Sequence, residues 1–147
     1  MKAKHVFALY GRPNVGKSAT LKNVFALLTD AYPTAPVRNI RPPGIDITVD
    51  ITVVIEINGI FVGIESGGDP GGGLAESIEL FKGNKCSIII CATRTHGGTV
   101  TAVKNLQPEF TLVWYHKTSE PQANLQARHD NADAQAIFDQ VQNALKA

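Results

Sequence analysis

Residues Gly11-Arg12-Pro13-Asn14-Val15-Gly16-Lys17-Ser18 spell Gly-x4-Gly-Lys-Ser/Thr, and the residues on either side limit the fold. Val6, Phe7, Ala8 and Leu9 form a short apolar run before them. Leu21, Val24, Phe25 and Leu28 follow at helical spacing. Strand, glycine turn and helix in that order open an α/β sheet. Glycines let a backbone curl into a nest of N–H groups, and the next helix aims its positive end at the same spot. A loop of this kind suits a phosphate. Lys17 would reach the β- and γ-phosphates of a nucleoside triphosphate, and the Ser18 hydroxyl would ligate magnesium. Gly11, Arg12, Pro13, Asn14, Val15, Gly16, Lys17, Ser18 and Ala19 are the predicted nucleotide-binding segment.

The chain has 147 residues, 44% of them hydrophobic, enough for a single domain over 1–147 with its own core. The net charge is +1, with no basic stripe, so charge gives no sign of a nucleic-acid or membrane partner. No signal peptide fits the start, and no apolar run reaches transmembrane length, which predicts a cytoplasmic protein. Cys86 and Cys91 are the only cysteines. Placed around a β-run they should point to opposite faces, too far apart to bridge, and read as buried reduced thiols.

Lys4 to Tyr10 reads as a buried parallel strand and Lys17 to Thr29 as the helix after the loop. Four prolines between Asp30 and Gly44 argue against any regular element there. Ile45, Ile47, Val49, Ile51, Val53, Ile55 and Ile57 then alternate with Asp46, Thr48, Asp50, Thr52 and Glu56. Strict alternation predicts a long strand wetted on one side. Asn58-Gly59 predicts a tight hairpin turn into Ile60 to Ile64. Glu65 to Gly73, rich in glycine, reads as a mobile loop. Leu74 to Phe81 should be a helix, Ser87 to Ala92 a strand, Val100 to Leu106 a weak helix and Thr111 to Tyr115 the last strand. Pro121 to His129 reads as a polar connector. An amphipathic helix to Ala147 follows, with Asp130 or Asn131 as its cap. The sum is a three-layer α/β sheet, mostly parallel with one antiparallel hairpin, its phosphate loop at the carboxyl ends of the strands.

Beyond the loop, phosphoryl chemistry needs a magnesium-side acid and a group that stabilises charge. That acid usually ends an apolar strand beside the phosphate loop, the place expected for Glu65 after the run Ile60 to Ile64, where it would hold magnesium through water or polarise the attacking water. Asp69 is a second candidate, and the Gly67-Gly68 amides would contact a γ-phosphate. Arg94, after the strand Ser87 to Ala92, is the first choice for charge stabilisation, with Arg12, Arg38 and Arg41 as rivals. His96 is a candidate proton carrier. Asp46 and Thr48 would approach magnesium only if their strand starts near the site.

Gly11 to Ser18, followed by Thr20, Leu21 and Asn23, resembles the phosphate loop of bacterial ribosome-associated GTPases, within the wider P-loop NTPase superfamily. The hairpin Asp46 to Ile64 and the glycine loop after it are similar to the second and third strands of those proteins. The resemblance implies their fold, with Lys17 and Ser18 in their usual roles. Where those GTPases have Asp-x-x-Gly, this chain has Glu65-Ser66-Gly67-Gly68. Where they have Asn-Lys-x-Asp, it has His116-Lys117-Thr118-Ser119. The acid that accepts hydrogen bonds from guanine is missing, which favours ATP over GTP.

The first expectation is therefore Mg2+-dependent binding and hydrolysis of a nucleoside triphosphate, as a switch or a subunit of a larger system. The alternative is a small phosphotransferase, with Glu65 or Asp69 as base and Arg94 and His96 holding the acceptor. A third reading is a binding module that docks a protein partner, or a second copy of itself, along the strand Asp46 to Ile57.

Overall fold

The structure, a computed structural model, describes residues 3–11, 16–41, 50–67, 74–95, 97–117 and 123–146; the side chains of 39–41, 123 and 124 lie outside the description. The described residues form six strands and four helices. They are β1 (His5–Tyr10), α1 (Lys17–Ala31), β2 (Val37–Arg41), β3 (Thr52–Ile57), β4 (Ile60–Glu65), α2 (Leu74–Gly83), β5 (Ile88–Thr93), α3 (Gly98–Lys104), β6 (Thr111–His116) and α4 (Ala123–Lys146). One mixed sheet runs in the order β2-β3-β4-β5-β1-β6. The ladders β4–β5, β5–β1 and β1–β6 are parallel, and β3 is antiparallel to both of its neighbours.

Alternation along the strands divides the core into two layers. Phe7 and Leu9 of β1, Val53, Ile55 and Ile57 of β3, and Ile88, Ile90 and Ala92 of β5 face one way. There they meet Leu21, Val24 and Leu28 of α1 and Ile137 and Val141 of α4. Val6, Ala8, Val54, Ile89 and Cys91 face the other way, onto Leu74, Ile78 and Phe81 of α2 and Val103 of α3. The expected three-layer α/β/α architecture is present. The hairpin is too: Asn58 and Gly59 take φ of 52° and 81°, the left-handed pair that a tight turn requires.

Several expectations need correction. Val37–Arg41 is a strand despite the prolines around it, because Pro33 and Pro36 precede it and it adds to an edge, where a ladder tolerates nearby prolines. The described part of the alternating run is not wetted on one side. β2 and β4 flank β3, and Val54 on its second face is buried under α2. Residues 42–49 of that run lie outside the description. The polar connector is helical from Ala123, so α4 has 24 residues and Asp130 is a buried interior position rather than its cap. Finally, β4 does not lie beside β1, since β5 separates them.

Both thiols are free and buried, as expected. The expectation that they point to opposite faces is corrected: both lie in the layer under α2 and α3, because Cys86 precedes the strand and escapes its alternation. Burial pushes each thiol up to about 12, and for Cys91 the nearby Glu65 adds to the effect. An unfolded thiol ionises near 9.0, so unfolding releases protons above that pH and stability falls as pH rises from about 9 towards 12. Urea unfolding at pH 8 and pH 10 should show this fall. A Cys86→Ala/Cys91→Ala variant, less stable at both pH values, should show a shallower one; an equal fall would assign the loss to other groups.

Candidate active site

The carboxyl ends of β1, β4, β5 and β6 share one edge of the sheet, and β3 begins there. The end of β1 is gripped from both sides. Gly11 N–H donates to Thr93 O across 3.2 Å, and Lys117 N–H donates to Tyr10 O across 2.8 Å. Gly16 then turns the chain into α1 at φ 96°, a conformation open to glycine at little cost. Thr20 N–H closes the first helical turn on Gly16 O at 2.9 Å. No acid occupies the first turn of α1, so its partial positive charge is not neutralised from within the helix.

Lys17 is buried, and its ammonium lies 2.5 Å from Gly11 O, folded back over the start of the loop. Ser18 donates its hydroxyl to Asp50 Oδ1 at 2.6 Å. Asp50 also accepts from the buried Ser66 hydroxyl at 3.1 Å, and Ser66 Oγ accepts Ile51 N–H at 2.8 Å. The hairpin register explains why Asp50 is there. Thr52 pairs with Glu65, which carries Asp50 past the end of β4 to the level of Ser66 and Gly67. One exposed carboxylate is thus set against the hydroxyl of the phosphate loop by a strand from elsewhere in the chain.

Glu65 is buried and well tethered. Oε2 accepts the Thr52 hydroxyl in a short hydrogen bond and the Ser77 hydroxyl at 2.7 Å, while Oε1 accepts Gly67 N–H at 3.0 Å. Gly67 sits between two carboxylates: a Cβ there would lie 3.1 Å from Asp50 Oδ2 and 3.1 Å from Glu65 Oε1. Arg94 follows β5, the strand that actually borders β1. Its N–H donates to Thr99 Oγ1 at 3.0 Å, and its carbonyl accepts from the Thr93 hydroxyl at 2.8 Å. Arg38 donates to Asn84 Oδ1 at 2.8 Å, beyond the end of α2. Arg12, Pro13, Asn14, Val15, Asp46, Thr48, Gly68, Asp69 and His96 lie outside the described residues, as does the side chain of Arg41.

Two further residues belong to this region. In the sequence Asp50 is one of the polar residues of an alternating run, yet counting the ladder back from Asn58-Gly59 sets it opposite Gly67. Lys117 stands in the sequence only as the lysine of an incomplete tetrad. It is buried, and its ammonium bridges Asp130 Oδ1 at 2.7 Å and Asp133 Oδ2 at 2.8 Å on α4. Burial alone would lower the ammonium, but the two carboxylates outweigh it and hold Lys117 above the usual lysine range. Breaking such a buried pair by removing one partner costs about 3–5 kcal/mol, so Lys117 is no solvated surface lysine.

A cleft of about 290 Å³ opens between α3 and the ends of β1 and β6, lined by Tyr10, Thr95, Val100, Lys104 and Trp114. Tyr10 meets Trp114 edge-on and stacks on His116 with centroids 4.9 Å apart. No helix of the described residues is long and apolar enough to cross a membrane. Compared with protein-family models, curated proteins and solved structures, the chain has no match in any of the three.

Proposed function

We propose that the chain is a P-loop nucleotide-binding protein that binds a nucleoside triphosphate with Mg2+ and hydrolyses it, taking ATP ahead of GTP. One observation carries this reading. At the edge where the parallel strands end, Ser18 meets Asp50 while its neighbour Lys17, at the start of α1, lies folded over Gly11. Lysine, hydroxyl and carboxylate are the groups that triphosphate chemistry needs.

The donor set suits magnesium. A hydroxyl and a carboxylate oxygen 2.6 Å apart are hard ligands, and magnesium takes few protein groups, filling its shell with water and phosphate oxygens. Ser18 and Asp50 would hold the ion, which when bound would neutralise charge on the phosphates. Lys17 would hold the β- and γ-phosphate oxygens, and the first turn of α1 would add its N–H groups. Both oxygens of Glu65 are engaged, so we assign it to fixing the Gly67 amide at the site rather than to taking a proton or binding the ion directly. Asp69 is then the acid left to orient the attacking water, with Arg94 offsetting charge on the transferred group. The missing acid of the GTPase tetrad, with Ser119 in its place, remains the reason to put ATP first.

The phosphotransferase reading gains one observation, the cleft beside Thr95, which is large enough to seat a flat acceptor. Docking through β3 loses ground, since among the described residues the edges are β2 and β6.

Phosphate release measured separately with ATP and GTP, with and without Mg2+, tests the proposal. Release that requires Mg2+ and is faster with ATP is the expected result. Tight binding with no release unless an acceptor is added would favour phosphotransfer. No binding of either nucleotide would overturn the proposal.

A further inference from the structure

The Lys117 cluster lies against the phosphate loop. A Cβ built on Gly16 would collide with Asp130 Oδ1 and Gln126 Nε2, so α4 places a buried carboxylate directly on the residue before Lys17. Gln126 donates to that same Asp130 oxygen at 2.7 Å. An acid so close to a phosphate loop opposes anion binding, and buried surroundings screen it poorly. The ammonium of Lys117 is 2.7 Å from it, and the Lys117 backbone is bonded to Tyr10, next to the loop's first glycine. Asp133, on the next turn of α4 and partly exposed, takes a second ammonium hydrogen at 2.8 Å.

We infer that Lys117 is a positioning residue for nucleotide binding: by neutralising Asp130 against Gly16 it keeps the phosphate loop attractive to anions. This rests on the nucleotide-binding reading above. Lys117 touches no phosphate in this assignment and acts through the charge of Asp130.

Calorimetric titration with Mg-ATP and Mg-GTP tests the inference on the full chain, alongside thermal melts. Lys117→Met should weaken binding by roughly tenfold or more. Adding Asp130→Asn to that variant should restore most of the loss. Asp130→Asn alone leaves Lys117 paired to Asp133 with one negative charge fewer, so it should bind about threefold tighter, with a steeper salt dependence. A purely structural role would make every one of these changes weaken binding together with the melting temperature. A folded Lys117→Met variant that binds like the native chain would overturn the inference, as would the absence of rescue. If Lys117→Met does not fold, Asp130→Asn alone decides: tighter binding supports the inference, while equal or weaker binding overturns it. Native protein that binds neither nucleotide would overturn the proposed function itself and this inference with it.

Discussion

Lys17→Ala should lower nucleotide affinity by roughly 100-fold or more, because charge-assisted hydrogen bonds from one ammonium to two phosphates contribute about 1.5–3 kcal/mol each. The native side chain is already held at the mouth of the loop, 2.5 Å from Gly11 O, so little ordering cost offsets that gain. Alanine is also the best helix former, and position 17 starts α1, so the helix itself should tolerate the change. Thermal melting should therefore move much less than affinity. Titration with Mg-ATP and Mg-GTP provides the check. A variant that binds both nucleotides as the native chain does would remove phosphate binding from the Gly11 to Ser18 loop.

Asp50→Asn should leave the fold intact and cut Mg2+-dependent phosphate release by about 100-fold, since a metal ion supplies several kcal/mol of charge stabilisation. Asparagine keeps an oxygen for the Ser18 and Ser66 hydroxyls and is exposed, so no buried group is orphaned. What it removes is the charge that would hold the ion. The loss should shrink as Mg2+ concentration is raised, a signature that damage to packing would not produce. Glu65→Gln provides the contrast. It replaces one carboxylate oxygen with NH2, so either Gly67 N–H or the Thr52 and Ser77 hydroxyls lose their acceptor, which should loosen the Gly67 turn without creating a new Mg2+ dependence. If Glu65→Gln, and not Asp50→Asn, acquires that dependence, the metal assignment belongs to Glu65.

The parts of this site that could be read in the sequence are those fixed by local chemistry. A glycine with φ of 96° before a lysine, an Asn-Gly turn and apolar residues at helical spacing each dictate structure within a few residues. The missed parts depend on pairing across distance. The strand order places β5 beside β1, and nothing local to Glu65 announces that the neighbour of the phosphate loop is Thr93 instead. The first turns of α4 are polar and lack an apolar stripe. They carry Gln126 and Asp130 onto Gly16 and Lys117, tertiary contacts that propensity does not encode. β2 was hidden by the prolines around it, whose effect is milder at an edge than within a sheet.

The position of β1 also sets a timetable for assembly. Both of its ladder partners, β5 and β6, come from the second half of the chain, while β2, β3 and β4 pair among themselves. During synthesis the hairpin can form as soon as it is made, but the first strand must wait for Ile88–Thr93 and Thr111–His116 to flank it. β1, made before the other described strands, is thus locked into the sheet among the last. A chain interrupted before Ile88 would carry the whole Gly11 to Ser18 signature and have neither of the strands that hold β1 in the sheet.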